Sequence, residues 1–261
     1  MTLEYAVEGA VATLTLARPD VLNAFDDELG HAAYDAMRRA SSDRSVRCIA
    51  IVGSGRAFSA GEDLGSLMSD YEKGEAPELG KTLVDRYNPL IREIRAAPKP
   101  VLAAVNGVAA GAGASIALAC DFRIASERAK LVLAFIKVGL VPDSGAVWFL
   151  TKMVGAAKAW ELASTGDPLS AEDALRLGIV NRVAPEDSFE EAWREWANEL
   201  AAGPTRAYAL TKELVARATH ASLDDQLEAE VEAQSAAGAT ADHIEGVRAF
   251  FGKRPPEFKG E

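Results

Sequence analysis

The residues of this 261-residue chain that could do chemistry are small-residue turns and a few acids, not histidines or cysteines. Two turns, Phe58-Ser-Ala-Gly-Glu-Asp-Leu64 and Asn106-Gly-Val-Ala-Ala-Gly-Ala-Gly113, follow apolar runs of strand type. Small side chains let a ligand approach the main chain. The second turn also feeds a helix whose first N–H groups have no intrahelical acceptor. Two such N–H groups converging on one carbonyl oxygen form an oxyanion hole, which stabilises the charge that builds when a proton leaves a neighbouring carbon. Tight turns also require glycine for conformation alone, so both readings of the spacing stay open. One acid stands near in sequence, Asp143 in Val141-Pro-Asp-Ser-Gly145. It reads as the N-cap of a helix starting near Gly145, or as an acid/base group whose pKa an apolar lining of Phe135, Ile136 and Trp148 would raise.

Other chemistries lack their residues. Gly111-Ala-Gly113 is followed by Ile116 where a dinucleotide fingerprint needs Gly or Ala, and Gly53-Ser-Gly-Arg-Ala-Phe58 has no Lys-Ser/Thr after it. No G-x-S-x-G elbow occurs. His31, His220 and His243 lie far apart in predicted helices, so neither a serine triad nor a metal site has support, and no metal is expected. A formal charge of -11 and a pI of about 4.9 exclude a basic stripe able to hold nucleic acid or anionic lipid. Cys48 and Cys120, both in apolar runs, read as small buried hydrophobes in a reducing compartment. The acidic start MTLEYAVEG fits neither a signal nor a transit peptide. The uncharged stretch between Lys99 and Asp121 mimics a membrane span and contains Gly107-Val-Ala-Ala-Gly111. It is Ala/Gly-rich and broken at Asn106-Gly107, so the expectation is a cytoplasmic chain without a membrane partner.

The elements that must position these turns read as an α/β core followed by helices. Alternation over Val11–Leu16 predicts a half-buried strand, and Leu29, Ala33, Ala36 and Met37 share one face of a helix over about Asp26–Ala40. Strands are expected at Val46–Val52, Val101–Val105, Phe122–Ala125 and Leu131–Phe135, with a small-residue helix over about Gly111–Ala119. Glu62–Pro89 reads as a mobile active-site loop followed by a helix from about Lys81 to Ala96. Ser170-Ala-Glu-Asp173 resembles a capping box ahead of a short helix ending at Gly178. Helices over Phe189–Ala201, Thr205–Ala218, Leu223–Ala237 and Thr240–Phe251 complete the chain.

Several segments, in order, resemble the signatures of the enoyl-CoA hydratase/isomerase (crotonase) family. They are Arg18-Pro-Asp-Val-Leu-Asn-Ala24, Ala57-Phe-Ser-Ala-Gly-Glu-Asp-Leu64, Pro98-Lys-Pro-Val-Leu-Ala-Ala-Val-Asn-Gly107, Gly111-Ala-Gly113, Gly139-Leu-Val-Pro142, Leu169-Ser-Ala-Glu-Asp-Ala174, Gly178-Ile-Val180 and the ending Glu245–Phe258. The resemblance covers nearly the whole chain. It implies a spiral of ββα units over 1–200 carrying an acyl-CoA site, and a helical region over 201–261 that assembles homotrimers or dimers of trimers. It also implies an acyl-CoA thioester substrate and no separate cofactor, coenzyme A being part of that substrate. By position, the oxyanion N–H groups belong to Glu62 and Ala112. Each such donor contributes roughly 3 kcal/mol to an enolate-like transition state. Contacts to the coenzyme A portion are implied for Leu22, Ala24, Ala60, Gly61, Asp63 and Leu64. Phe250 and Lys253 would reach the phosphates, of this chain's ligand or of a neighbouring subunit's, although Lys253-Arg254 also reads as a solvated helix end. Phe135, Ile136, Trp148 and the Ser66–Leu79 loop would line the acyl pocket.

The two glutamates with which a typical hydratase of this family adds water are missing: Ser115 and Phe135 stand in their places. Val138-Gly-Leu-Val-Pro-Asp-Ser-Gly145, Trp148 and Tyr87-Asn-Pro-Leu90 are similar to the isomerase branch that includes the ring-1,2-epoxyphenylacetyl-CoA isomerase, in which an aspartate at this position is the acid/base. Ala146 and Lys152 depart from that branch, which usually has Gly and Pro there. Three expectations remain: an acyl-CoA isomerase using Asp143, a hydratase on an unusual acyl-CoA with Asp143 or Glu62 positioning water, and a catalytically silent acyl-CoA binder.

Overall fold

The first strand has an N-terminal partner that alternation over residues 11–16 does not reveal. In the computed structural model, which describes residues 1–75 and 77–261 (Asp70 without its side chain), β1 (Leu3–Glu8) pairs antiparallel with β2 (Val11–Leu16). β2 is buried on both faces rather than one, because helix α1 (Asp27–Ser42) covers one side and a later helix covers the other. α1 carries the expected buried stripe, and its N-cap Asp26 accepts from the Leu29 N–H at 2.8 Å.

Three successive turns of strand, strand and helix then build the core. β3 (Cys48–Gly53) steps into β4 (Ala57–Ser59). After α2 (Met68–Glu72), α3 (Leu79–Thr82) and α4 (Asn88–Ala96), β5 (Val101–Val105) steps into β6 (Val108–Ala110) and α5 (Ala112–Ala119). β7 (Phe122–Ser126) steps into β8 (Lys130–Val132) and α6 (Ala146–Thr165), whose helical geometry is interrupted at Gly155. The first member of each pair joins one sheet and the second member joins another. With β9 (Leu169–Ser170), α7 (Ala171–Arg176) and β10 (Arg182–Ala184), the sheet orders are β1-β2-β3-β5-β7-β10 and β4-β6-β8-β9. Neighbours are parallel except β1 with β2 and β8 with β9. Asn106 ties two of the sheet-to-sheet steps, accepting from the Gly53 N–H at 3.1 Å and donating to the Gly55 carbonyl at 2.9 Å.

The uncharged stretch from Pro100 to Cys120 is the centre of this core. β5 is buried at every position, and so is α5, whose Ala and Gly let β4, β6, α4 and α6 pack closely around it. Among the described residues no helix is long and apolar enough to cross a membrane. Cys48 and Cys120 are buried and free, and burial pushes both thiols up to about 12.

Two expected elements differ. The strand read as Leu131–Phe135 stops at Val132, and a 3-10 turn follows over Ala134–Val138, ended by Gly139 at φ 73°. The helix read as Lys81–Ala96 contains a π-turn over Leu83–Tyr87 between α3 and α4. Pro89 has no N–H to give the carbonyl one turn earlier, so the ladder shifts register there. Ala76, within the predicted 66–79 loop, lies outside the described residues.

The C-terminal helices are α8 (Phe189–Ala202), α9 (Thr205–Ala218), α10 (Leu223–Gly238) and α11 (Ala241–Gly252). α8 seals the outer sheet face with Phe189, Trp193 and Trp196 against Cys48, Ala50, Leu102 and Ile124. α10 buries none of its residues in the chain.

Candidate active site

The two small-residue turns meet. A Cβ placed on Gly61 would lie 3.2 Å from the Ala112 nitrogen and 2.8 Å from the Ala110 carbonyl oxygen, so the turn after β4 sits against the turn after β6. Gly61 has φ 93°, a conformation that a side chain disfavours. Gly113 is needed for a similar approach, because a Cβ there would lie 2.6 Å from the Ser59 carbonyl oxygen. Ser59, fully buried, donates to the Asn23 carbonyl at 2.8 Å and accepts from the Gly61 N–H at 3.2 Å, fixing the first turn. The main-chain groups on either side of Glu62 are engaged by the preceding segment: Phe25 N–H donates to the Gly61 carbonyl, and Asp63 N–H donates to the Phe25 carbonyl. Neither the Glu62 nor the Ala112 N–H has an acceptor among the described residues. Both residues line one cavity of about 230 Å³.

Asp143 lines the same cavity and does not cap the helix. Gly145, at φ 80°, is the N-cap of α6, and the main-chain carbonyl of Asp143, not its carboxylate, accepts from the Ala146 N–H at 2.9 Å. The carboxylate accepts from the Ser144 hydroxyl at 2.8 Å. Burial pushes the Asp143 carboxyl above its ordinary value, the Ser144 hydrogen bond opposes this, and the nearby Glu62 charge adds to it. The wall around these groups is apolar, with Phe135, Leu140, Val141, Leu64, Leu79 and Leu83 contributing.

Ser115 is fully buried beneath this arrangement. Its hydroxyl lies 3.1 Å from the Asp143 carbonyl and 3.2 Å from that of Gly111, so it ties the acid-bearing loop to α5. Ala60 and Leu64 line the cavity, while Leu22 and Ala24 back the first turn: Ala60 N–H donates to the Leu22 carbonyl at 2.9 Å. The Asp63 carboxylate is held by Arg18 at 2.9 Å and accepts from Gly65 N–H.

Four expected pocket residues lie elsewhere. Ile136 is exposed and turns toward Gly166, because the 3-10 turn over Ala134–Val138 points it away from its neighbour Phe135. Trp148 is half exposed, stacks edge-on against Phe149 at 5.0 Å and lines a different cavity beside Arg95 and Lys212. It lies five residues after Asp143, in the first turn of α6 and on a face directed away from the site. Phe250 and Lys253 sit at the exposed end of α11, where Phe250 borders a cleft with Phe251 and Phe258, away from this chain's own cavity.

Two residues were missed. Tyr87 donates to Glu62 Oε2 at 2.5 Å, and Arg86 donates to both Glu62 oxygens at 2.6 and 2.8 Å. A signal existed: Leu83, Tyr87, Leu90 and Ile94 form an apolar helical stripe, and a charged Arg86 beside it calls for a buried anion.

A strand–strand–helix spiral holding two main-chain N–H groups without an acceptor among the described residues and a desolvated acid around one apolar cavity defines an α/β enzyme of the crotonase fold. The family model described as enoyl-CoA hydratase/isomerase matches residues 6–261, and the chain belongs to that family. It is 43% identical over 255 residues to 1,2-epoxyphenylacetyl-CoA isomerase of Escherichia coli (strain K12), covering 98% of this chain and 97% of that protein. It is 34% identical over 250 residues to 2,3-dehydroadipyl-CoA hydratase of the same strain, covering 96% and 95%. The crystal structure of an enoyl-CoA hydratase from Polaromonas sp. JS666 superimposes with a TM-score of 0.92 at 36% identity, covering 98% of this chain and 99% of that one. Relatives therefore carry both isomerase and hydratase names.

Proposed function

We propose that this enzyme is an acyl-CoA isomerase that shifts a double bond, or opens a strained ring, on a coenzyme A thioester. Asp143 takes a proton from the carbon beside the thioester, or from its vinylogous position. The Glu62 and Ala112 N–H groups hold the resulting enolate oxygen, and Asp143 returns the proton to another carbon. The observation that carries this reading is the Asp143 carboxylate lining the cavity of the two N–H groups instead of capping α6. A single acid suffices for isomerisation, and Ser115 and Phe135 offer no carboxylate to a water.

The region over 201–261 is assigned to assembly into homotrimers or dimers of trimers. Supporting this are the exposed Leu223, Leu227 and Val231 of α10 and the exposed Phe250 and Phe251 of α11. Contacts of Phe250 and Lys253 with coenzyme A would then be made at a neighbouring subunit's cavity.

The test is mass-resolved incubation with a 3-enoyl-CoA and a 2-enoyl-CoA in deuterated water, beside Asp143→Asn. Double-bond migration with deuterium uptake and no added water, lost in the variant, is the expected result. Gain of one water on the 2-enoyl ester makes the enzyme a hydratase. Binding without either change makes it a silent acyl-CoA binder.

A further inference from the structure

The cavity holds a second carboxylate that the isomerisation does not consume. Glu62 presents its side chain to the cavity that Asp143 lines, with both oxygens already engaged by Arg86 and Tyr87. Arg86 is 4% exposed and Tyr87 2%, so this is an interior network, not a surface ion pair. Burying a guanidinium is costly unless it is paired with an anion or met by other acceptors. The other acid near Arg86, Asp27, lies at 3.5 Å with its own side chain 89% exposed, which leaves Glu62 as the principal partner. The stem of Arg86 fills the notch opposite Gly30, where a Cβ would lie 2.1 Å from the Arg86 Cδ. The π-turn over Leu83–Tyr87 brings adjacent residues onto one carboxylate, and the guanidinium also stacks on the Tyr87 ring at 4.8 Å from its centroid. A glycine notch, a buried cation and a helix irregularity therefore all serve the side chain of one cavity-lining residue, whose main-chain N–H has no acceptor among the described residues.

We propose that Arg86 and Tyr87 are positioning residues: by clamping the Glu62 carboxylate they keep its main-chain N–H aimed at the thioester oxygen and keep a fixed negative charge opposite Asp143, strengthening that residue as a base. The inference rests on the isomerase reading above. The titratable groups among the described cavity-lining residues are Glu62, Tyr87 and Asp143. From its own loop, Asp143 also meets the Ser144 hydroxyl, while Arg86 stands behind Glu62 and offsets part of its charge. Tyr87 stays a donor at neutral pH, because burial and then the Glu62 charge push its phenol upward.

The experiment compares wild type, Glu62→Gln and Tyr87→Phe in two ways. One is the pH dependence of kcat and kcat/KM. The other is carboxyl titration by NMR on protein labelled with carbon-13 aspartate, the Asp143 signal being assigned by its loss in Asp143→Asn. Glu62→Gln is expected to lower the Asp143 midpoint by roughly half a pH unit, with the acid limb of kcat/KM moving alongside it. Tyr87→Phe is expected to lower kcat about tenfold, with KM changing by less than about threefold. Superimposable midpoints and acid limbs in wild type and Glu62→Gln overturn the charge coupling. An unchanged kcat in Tyr87→Phe overturns the positioning role. Should Glu62→Gln fail to fold, Glu62→Ser replaces it in the titration and the pH profiles, while the Tyr87→Phe split between kcat and KM decides the positioning role. An inactive wild type would refute the isomerase reading instead, and the NMR titration, which needs no turnover, would still judge the coupling.

Discussion

Gly61→Ala tests whether the meeting of the two turns is the catalytic feature. The added methyl would lie 2.8 Å from the Ala110 carbonyl oxygen and 3.2 Å from the Ala112 nitrogen, both main-chain atoms that cannot swing aside. It would also be placed on a residue at φ 93°. Backbone strain of about 1–3 kcal/mol and overpacking of about 1–3 kcal/mol combine to a loss of about 3 kcal/mol, which lowers Tm by about 6–12 °C in a chain of this size. Relief must come from moving the Gly111–Ala112 peptide away from Glu62, so one oxyanion donor is misplaced and kcat falls about 10²–10³-fold. Gly178→Ala is the control: Gly178 also has positive φ, at 72°, but a Cβ there meets nothing within 4 Å. It should lose stability through strain while keeping kcat. The assay pairs thermal melts with initial rates of double-bond migration on a 3-enoyl-CoA. A Gly61→Ala enzyme with lowered Tm and kcat within threefold of wild type would show that these N–H groups do not hold the oxyanion.

Asp143→Asn should lower kcat by about 10²-fold or more, since it removes the proton carrier. The same variant should gain stability in a pH-dependent way. Burial raises the folded-state pKa of Asp143, so the wild-type carboxyl contributes most below the ordinary carboxylate range, about pH 4, and that contribution is lost as pH rises through the raised folded value. The Tm of Asp143→Asn should match wild type near pH 4 and exceed it at pH 7–8; equal values throughout would contradict the desolvation argument. Ser115→Ala removes a hydroxyl shared between the Asp143 and Gly111 carbonyls. It should cost about 1 kcal/mol of stability and lower kcat more than it changes KM, read from melts and steady-state kinetics. Trp148→Ala should leave kcat/KM within about threefold of wild type, because that ring lines a separate cavity.

Much of this architecture was legible because local signals were strong. The expected strand Val101–Val105 and helix Thr205–Ala218 coincide with the observed elements, each bounded by Pro or by Asn-Gly. β4 and β6 were not legible: each has three residues, too few to show alternation, and their pairing with each other joins segments about fifty residues apart. The family resemblance brought Glu62 and Ala112 forward as candidates, and nearness in sequence brought Asp143, but neither could decide between acid and cap at Asp143. That depends on Ser144 and Gly145 both adopting positive φ, which turns the carboxylate off the helix end. Trp148 misled for the converse reason. Its nearness to Asp143 in sequence is undone by helical rotation, since Ala146, Phe149 and Leu150 face the core while Val147 and Trp148 do not.

The two positions that depart from the hydratase pattern become coherent once Asp143 is placed. Ser115, where a carboxylate would be expected, instead holds the Asp143 main chain by its hydroxyl. Phe135, where the other would be expected, is 8% exposed and forms part of the apolar wall around the site. A glutamate at either place would put another negative charge into a cavity of about 230 Å³ already lined by Glu62 and Asp143. Like charges at that density cannot all remain ionised, and the acid that must cycle its proton would lose its defined strength. With Ser and Phe there, one residue fixes the loop and the other keeps it dry, while Arg86 and Tyr87 occupy the oxygens of Glu62. Asp143 is then the carboxylate in the cavity left free to exchange a proton. That arrangement is what the proposed isomerisation needs, whereas water addition shared between two acids would want a second free carboxylate, and among the described cavity-lining residues the other one, Glu62, is engaged by Arg86 and Tyr87.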